Sequence, residues 1–110
     1  MAVNSRVKAV TCQRFDTAGL TGGYDLMNAG GLDKSCFYIK IINDSNTDVE
    51  ISYDAVGTHD FVPNGTSQVL NLQSNYQPAG AIALMPKGQE FYLLGQGGVG
   101  YIYLIGYYQE

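Results

Sequence analysis

The sequence predicts an all-β protein, either a small antiparallel β-sandwich or a jelly-roll-like barrel of about eight short strands. Short runs of alternating apolar and polar residues recur along the chain, and clusters of Gly, Pro and Asn separate them. No stretch keeps the periodicity of an amphipathic helix over several turns. A length of 110 residues fits one domain, so we expect a single β domain over residues 1–110.

The first third of the chain carries the weakest strand signals. Residues Arg6 to Gln13 alternate weakly and predict one strand, preceded by a short N-terminal arm over about residues 1–6. A Gly-rich loop with five glycines follows over about residues 17–34. A loop of this length is uncommon in a compact domain and is often functional. Near Tyr24–Asn28 the loop predicts a helical turn or a short strand.

Two alternating runs in the middle of the chain predict a β-hairpin. Ile39 and Ile41 share one face of the first run, and Val49 and Ile51 share one face of the second. The intervening polar segment, 43–48, is rich in Asn, Asp and Ser. Such side chains bond to their own backbone and favour a tight turn.

Shorter runs predict the next strands. They are Phe61–Val62, Gln68–Leu72, Ala81–Met85 and Gln89–Leu94. Turns with Gly and Pro separate them, namely Pro63-Asn64-Gly65, Pro86-Lys87-Gly88 and Gly95–Gly98. We expect the Gly95–Gly98 turn to close a hairpin with the last strand, because the Gly-x-Gly pattern there lies between two strands and not before a helix.

The last predicted strand, Val99–Tyr108, is apolar on both faces. One face carries Val99, Tyr101, Tyr103, Ile105 and Tyr107, and the other carries Ile102, Leu104 and Tyr108. A strand of this kind must be covered on both sides. Either the Gly-rich loop covers the Tyr-rich side, or that side contacts another subunit, since Tyr is enriched at interfaces. An aromatic stripe could also stack on sugar rings or on bases.

The charge pattern argues against nucleic-acid and membrane partners. Charged residues make up 15 % of the chain and the net charge is −4. The six basic residues are scattered: Arg6, Lys8, Arg14, Lys34, Lys40 and Lys87. No basic stripe is available to neutralise phosphates or to anchor the chain to anionic lipids. The first residues lack the pattern of a secretory signal, so we expect a soluble protein made in the cytoplasm.

No pattern of catalytic residues is recognisable, so we expect a protein that is not an enzyme and has no cofactor. His59 is the single histidine; Asp54 and Asp60 could join it in a metal site, and Ser52 or Thr58 in a nucleophilic pair. Neither arrangement has a known spacing, and a solvated turn histidine is the simpler interpretation.

Two smaller features leave alternatives open. Asp44 and Asp48 lie close together in the polar segment and could bind calcium weakly, although no calcium-loop pattern is present. Cys12 and Cys36 both fall in strand-like runs. Two buried thiols are therefore the favoured interpretation, and a disulfide between neighbouring strands is the alternative.

Residues Cys36 to Gln109, which end in KGQEFYLLGQGGVGYIYLIGYYQ, resemble small virion structural proteins of tailed bacteriophages. The resemblance is greatest to head decoration (cement) proteins of the jelly-roll type. It implies a protein of the virion, assembled in the host cytoplasm and bound in many copies across junctions of the major capsid protein. Copies would contact one another, for example as trimers. Tail and collar proteins share this style.

This interpretation selects three groups of candidate contact residues, in the N-terminal arm, the Gly-rich loop and the last strand. They are Ala2, Val3 and Arg6; Leu20, Tyr24, Leu26 and Met27; and Tyr101, Tyr103, Tyr107 and Tyr108. The alternative function is a carbohydrate-binding or tail-associated β-sandwich module. In that case exposed Tyr side chains would line a groove with Asp or Asn at its rim.

Overall fold

The computed structural model describes residues 7–72 and 84–109, and it confirms the all-β prediction. Nine strands and one short 3-10 helix, Thr17–Gly19, are present in these two ranges. The strands are β1 Val7–Ala9, β2 Gln13–Asp16, β3 Asp25–Leu26, β4 Tyr38–Ser45, β5 Val49–Ser52, β6 Asp60–Val62, β7 Ser67–Asn71, β8 Tyr92–Leu94 and β9 Gly100–Gln109.

The strands form two antiparallel sheets with a jelly-roll order. Sheet A has the order β1-β9-β4-β7, and β2 also pairs with β9, while sheet B has the order β3-β8-β5-β6. Because β4 occupies one side of β9, β1 and β2 lie on its other side as one interrupted edge strand. The pairs are then nested: β1 and β2 with β9, β3 with β8, β4 with β7, and β5 with β6. A jelly roll is a folded ribbon of such pairs.

One core lies between the two sheets. Ile39 and Ile41 of β4 and Ile102 and Leu104 of β9 are fully buried. The sheet B residues of the same core cluster are Val49, Ile51, Val62 and Leu93. Burial of each such side chain contributes about 1.5–3 kcal/mol. The alternation of apolar residues therefore sets which side of each strand faces inward.

The Gly-rich loop closes one part of this core. Leu20, Met27 and Leu32 are buried within the core cluster. Asn28 holds the loop in place, because its Nδ2 donates to Gln89 O (3.1 Å) and its Oδ1 accepts from the Phe91 N–H (2.7 Å). Met27 N–H also donates to Phe91 O. The expected short strand in this loop is present as β3.

The predicted hairpin between the two central runs is wrong. β4 belongs to sheet A and β5 to sheet B, so the polar segment after β4 crosses from one sheet to the other. The buried Asn43 amide makes the crossing possible, since it donates to Thr47 O (2.8 Å) and Val62 O (2.9 Å). The alternation of apolar and polar residues indicates which residues face the core. Two strands show the same alternation whether a hairpin or a crossing joins them, so the pattern cannot distinguish the two connections. The true hairpin joins β5 and β6.

The Gly95–Gly98 turn is also a crossing and not a hairpin, because β8 lies in sheet B and β9 in sheet A. It passes close to the crossing that follows β4. A Cβ atom at Gly98 would lie 2.6 Å from Asn46 Oδ1, and one at Gly100 would lie 2.3 Å from Asp44 O. At Gly100 the facing atoms belong to the backbone of Asp44 and Ser45, so glycine is required there, whereas the atoms that face Gly98 belong to the side chains of Asn46 and Thr47.

The first predicted strand is broken into β1 and β2, and Cys12 lies in the break. Cys12 is exposed and Cys36 is buried, and both are free thiols. The prediction of two buried thiols is therefore right for Cys36 and wrong for Cys12. The predicted strand Ala81–Met85 lies mostly outside the described residues; its last residue, Met85, pairs with Cys36 as an isolated bridge. Gln89–Leu94 forms a strand only from Tyr92 onward.

Replacement of Gly100 by Ala tests the close approach of the first residue of β9 to the end of β4. Gly100 has φ +126° and no room for a Cβ atom, so we expect the free energy of unfolding to fall by roughly 2–4 kcal/mol. Gly30→Ala is the matched control, because Gly30 has φ +83° but no atom within 4 Å of the position that a Cβ atom would take; it should cost about 1 kcal/mol. Urea unfolding measures both values, and equal losses would contradict the steric explanation.

Candidate protein-interaction surface

The outer side of sheet A presents a continuous set of aromatic and aliphatic side chains, which we call the aromatic face. Its residues are Arg14 of β2; Tyr38, Lys40 and Ile42 of β4; Val69 of β7; and Tyr101, Tyr103, Ile105 and Tyr107 of β9. The strand register places them side by side: Tyr103 lies opposite Arg14 and Ile42, and Lys40 lies opposite Ile105 and Val69. Two exposed carboxylates, Asp16 and Asp44, lie opposite Tyr101 at one end of the same side of the sheet.

The aromatic face is accessible. Val69 is 43 % exposed and Tyr101 is 37 % exposed, whereas Tyr103, Ile105 and Tyr107 are half-buried by their neighbours. The residues of the Gly-rich loop that pack in the core lie on the inner side of the sheet. They do not cover the aromatic face, so the first of the two sequence-based alternatives does not hold for these residues.

The rings of the aromatic face are held by contacts with one another. Tyr38 and Tyr107 pack edge to face with centroids 5.6 Å apart, and Tyr101 and Tyr103 lie at 6.3 Å with a tilt of 45°. The Arg14 guanidinium carbon lies 4.8 Å from the centre of the Tyr101 ring. Side chains that are already ordered lose less conformational entropy when a partner binds. The side chains of this face are therefore ordered by contacts within the chain itself.

Two shallow grooves border the aromatic face and meet at Lys40. One encloses about 390 Å³ and is largely apolar, with Val7, Phe37, Tyr38, Lys40 and Tyr107 as its lining. The other encloses about 450 Å³ beside Tyr103 and carries more polar groups, including Asp44, Thr66 and Ser67. The face thus offers both apolar contact area and hydrogen-bonding groups at its edge.

The candidate contact residues within the last strand do not all lie on the same side of it. Tyr101, Tyr103 and Tyr107 lie on the aromatic face. Tyr108 points the other way and packs against the core, with the Lys34 ammonium nitrogen 5.7 Å from its ring centre. Tyr108 therefore does not belong to this surface.

The candidates in the Gly-rich loop do not form part of the aromatic face either. Leu20 and Met27 are buried in the core, so the expectation that they contact a partner is wrong. Leu26 is 38 % exposed on β3 of sheet B. The Tyr24 hydroxyl lies 2.9 Å from Thr58 Oγ1, in the loop between β5 and β6. Ala2, Val3 and Arg6 lie outside the described residues.

Several residues of the aromatic face are not among the candidates that the sequence selects. They are Arg14, Tyr38, Lys40, Ile42, Val69 and Ile105. The alternation within each run does place Tyr38 and Lys40 opposite the core residues of β4. What the sequence does not contain is the register that brings β2, β4 and β7 alongside β9.

The loop between β5 and β6 holds the single histidine in a local hydrogen-bond network. His59 Nδ1 accepts from the Tyr53 N–H (3.1 Å), and the Tyr53 and His59 rings are stacked. Asp54 Oδ1 accepts from the N–H groups of Val56 and Gly57. These bonds hold the pKa of Asp54 below its usual value. Burial and the neighbouring carboxylate of Asp60 raise the pKa of Tyr53.

These contacts give the loop a structural role. Ser52 Oγ donates to Asp54 Oδ1 and accepts from the Ala55 N–H, so the residues considered for a nucleophilic or metal site are used to close the turn. Within the described ranges, no group of three or more His, Cys, Asp or Glu residues is placed to hold a metal ion. The same ranges contain no helix with the length and hydropathy needed to span a membrane.

Comparison of the chain with protein-family models, with curated proteins and with solved structures gave no match in any of the three cases.

Removal of the Asp54 carboxylate tests the role of the loop network. A carboxylate with a lowered folded-state pKa stabilises the protein above its unfolded-state pKa, and this contribution is lost as the pH falls through the folded-state pKa. We expect Asp54→Ala to be less stable than the native chain at pH ~7, with a smaller difference at pH ~3. Urea unfolding at both pH values measures this. The exposed Asp33→Ala is the control, and an unchanged difference at low pH would contradict the prediction.

Proposed function

We propose that this protein is a structural component of a virion, and specifically a capsid decoration (cement) protein of a tailed bacteriophage. The observation that carries the proposal is the aromatic face. Tyrosines and aliphatic residues that are exposed or half-buried run along the outer side of β9 and of β4 beside it, and aromatic residues of this kind are enriched at protein interfaces.

The composition of the rest of the chain supports an adhesive role. Charged residues make up 15 % of the sequence, against roughly 25 % in typical globular domains. A surface with few charges is only weakly repelled by other proteins. Each Tyr provides a large apolar area together with a hydroxyl group that tolerates water, so the aromatic face can exist in the free protein and still bind tightly.

The strand order gives the second line of support. The nested pairs of sheets A and B are those of a jelly roll, an architecture found in viral capsid and lectin domains. Fold alone does not determine function. Residues Cys36 to Gln109 resemble head decoration proteins of the jelly-roll type in sequence. The jelly-roll order of the strands is an independent observation that agrees with this resemblance.

Binding across capsid junctions would stabilise the shell through simple linkage, because a ligand that binds only the assembled state favours that state. The N-terminal arm, with Ala2, Val3 and Arg6, directly precedes β1 at the edge of sheet A. In this proposal the arm contacts the major capsid protein. Many copies on one lattice would add avidity to each weak contact.

Particles of the phage that encodes the chain provide the test. Mass spectrometry of purified particles should find the chain in a fixed ratio to the major capsid protein. Shells that lack the chain should bind the purified native protein, and the double variant Tyr101→Ser, Tyr103→Ser should bind about tenfold more weakly or worse. Its free energy of unfolding should change by about 1 kcal/mol, since both side chains are at least partly exposed.

Val56→Ser is the matched control, because Val56 is 83 % exposed and lies in the loop between β5 and β6, away from sheet A. It should bind shells like the native protein. Absence of the chain from purified particles would refute the proposal. Equal shell binding by the double variant and the control would show that the aromatic face does not contribute to shell binding.

A second function, carbohydrate binding, is favoured by the polar groove beside Tyr103. Asp44, Thr66 and Ser67 line this groove next to an aromatic ring, which is a suitable arrangement for stacking and hydrogen bonding to a sugar. A glycan array followed by calorimetric titration with any hit would test it. Loss of binding in Asp44→Ala would support this function, and the absence of any hit would exclude the glycans on the array.

A further inference from the structure

Three of the four sheet edges carry features that hinder pairing with another chain. An exposed edge strand can pair with a strand of another molecule, and proteins prevent this with short strands, charged side chains, proline or bulges. One edge of sheet A is interrupted between β1 and β2, which carry Lys8, Arg14 and Asp16. The edges of sheet B are β3, two residues long with Asp25, and β6, three residues long with Asp60. Each of these three edges is thus protected.

The fourth edge, β7, has none of these features. Its five residues are Ser67, Gln68, Val69, Leu70 and Asn71, and none of them is charged or a proline. Its register with β4 continues without a bulge over all five pairs. In the part of the chain that the structure describes, no strand pairs with the other side of β7. Among the described edge strands, β7 is therefore the one best suited to accept a further strand.

The main chain of β7 presents hydrogen-bonding groups on the side away from β4. Leu72 N–H donates to Phe37 O (2.8 Å) directly after the five pairs, so the ladder ends on a bonded pair. Bonded pairs recur at every second residue of an antiparallel ladder, so Leu70 also bonds to β4, whereas Val69 and Ser67 do not. The N–H and C=O groups of Ser67 and Val69 therefore point away from β4, and both residues are exposed.

Donors and acceptors that are spaced along one strand are matched by the main chain of another extended segment. Several classes of protein bind peptides by this addition of a strand to a sheet edge. Because β7 carries no charge, an uncharged segment fits it without leaving an ion unpaired. Such a segment would place one side chain beside Val69, which is 43 % exposed on the outer side of sheet A. The added strand would thereby extend the aromatic face.

We propose that β7 accepts an extended, uncharged segment of the major capsid protein as an additional strand of sheet A. This proposal rests on the proposed function, because it takes the partner from there and names how part of that partner binds. The main chain of the segment bonds to Ser67 and Val69, and an apolar side chain of the segment packs beside Val69. Main-chain bonds supply affinity in this mode of binding, and the side chains supply specificity.

A proline at position 69 tests the main-chain contact. The Val69 N–H points away from β4, so Val69→Pro removes a donor available to a partner without removing a bond to β4. Proline is tolerated in edge strands at positions of this kind, and urea unfolding should show a cooperative transition close to that of the native chain. Binding to shells that lack the chain should weaken by about tenfold or more, because an acceptor of the partner is left unpaired.

Val69→Ala is the matched control, because it shortens the same side chain and keeps the N–H group. It should bind shells within about threefold of the native chain. Hydrogen exchange of the native chain is a second measurement that needs no variant, and it decides the question if V69P does not fold. The amides of Ser67 and Val69 should exchange about tenfold or more slowly in the shell-bound chain than in the free chain.

Two results would overturn the proposal while leaving the decoration function intact. They are a V69P variant that binds shells as well as V69A, and amides of Ser67 and Val69 that exchange equally fast in the free and shell-bound chain. Loss of self-association in V69P with unchanged shell binding would assign β7 to a second copy of the chain and would also overturn the proposal. A native chain that neither binds shells nor occurs in particles would instead refute the proposed function, and the capsid segment as partner with it.

Discussion

The structure depends on the single apolar layer between its two sheets. Ile102 and Leu104 of β9 pack beside Ile39 and Ile41 of β4, and sheet B covers them with Val49, Ile51 and Leu93. A two-layer fold has only one interior, so each strand can bury one of its sides. β9 is apolar on both sides and occupies the middle of sheet A. The aromatic face is the direct result, because the side of β9 that does not contact sheet B is left to face outward.

Much of this layer could be predicted from the sequence, because alternation in β4, β5 and β9 separates core residues from outward residues whatever the neighbouring strands are. The choice of neighbour could not be predicted in the same way. The polar segment after β4 has the composition of a hairpin turn, yet it crosses between sheets, and the Asn43 amide bonds that support the crossing reach as far as Val62 O. A bond between residues so distant in sequence leaves no local pattern.

The candidate surface could also be predicted only in part, because alternation assigns residues to a face but does not show which strands are neighbours. Tyr101, Tyr103 and Tyr107 can be assigned to one face from their spacing alone, and the register adds Tyr38 and Lys40, which no local pattern connects to them. Tyrosine is a common residue type at interfaces, but the position of Tyr108 in the alternation places it on the opposite side of β9, where it packs against the core.

The Gly-rich loop shows why composition alone misleads. Large apolar residues among many glycines have the character of an exposed binding loop, and Leu20 and Met27 are selected from the sequence for that reason. In the structure they fill the core, and Asn28 secures the loop to Gln89 and Phe91. The partners of Asn28 lie more than sixty positions away, so the anchoring of the loop has no signal within the loop itself.

The nested order of the strands has a consequence for how the chain reaches its native state. β9 inserts between β4 on one side and β1 and β2 on the other, so sheet A cannot be completed until residues 100–109 have left the ribosome. Until then β4 has an open edge and an uncovered row of isoleucines, which is the kind of surface that promotes aggregation. Pairing between the ends of the ribbon is also slow, because long loops must close first. Completion of sheet A therefore waits for a segment that is synthesised long after β4.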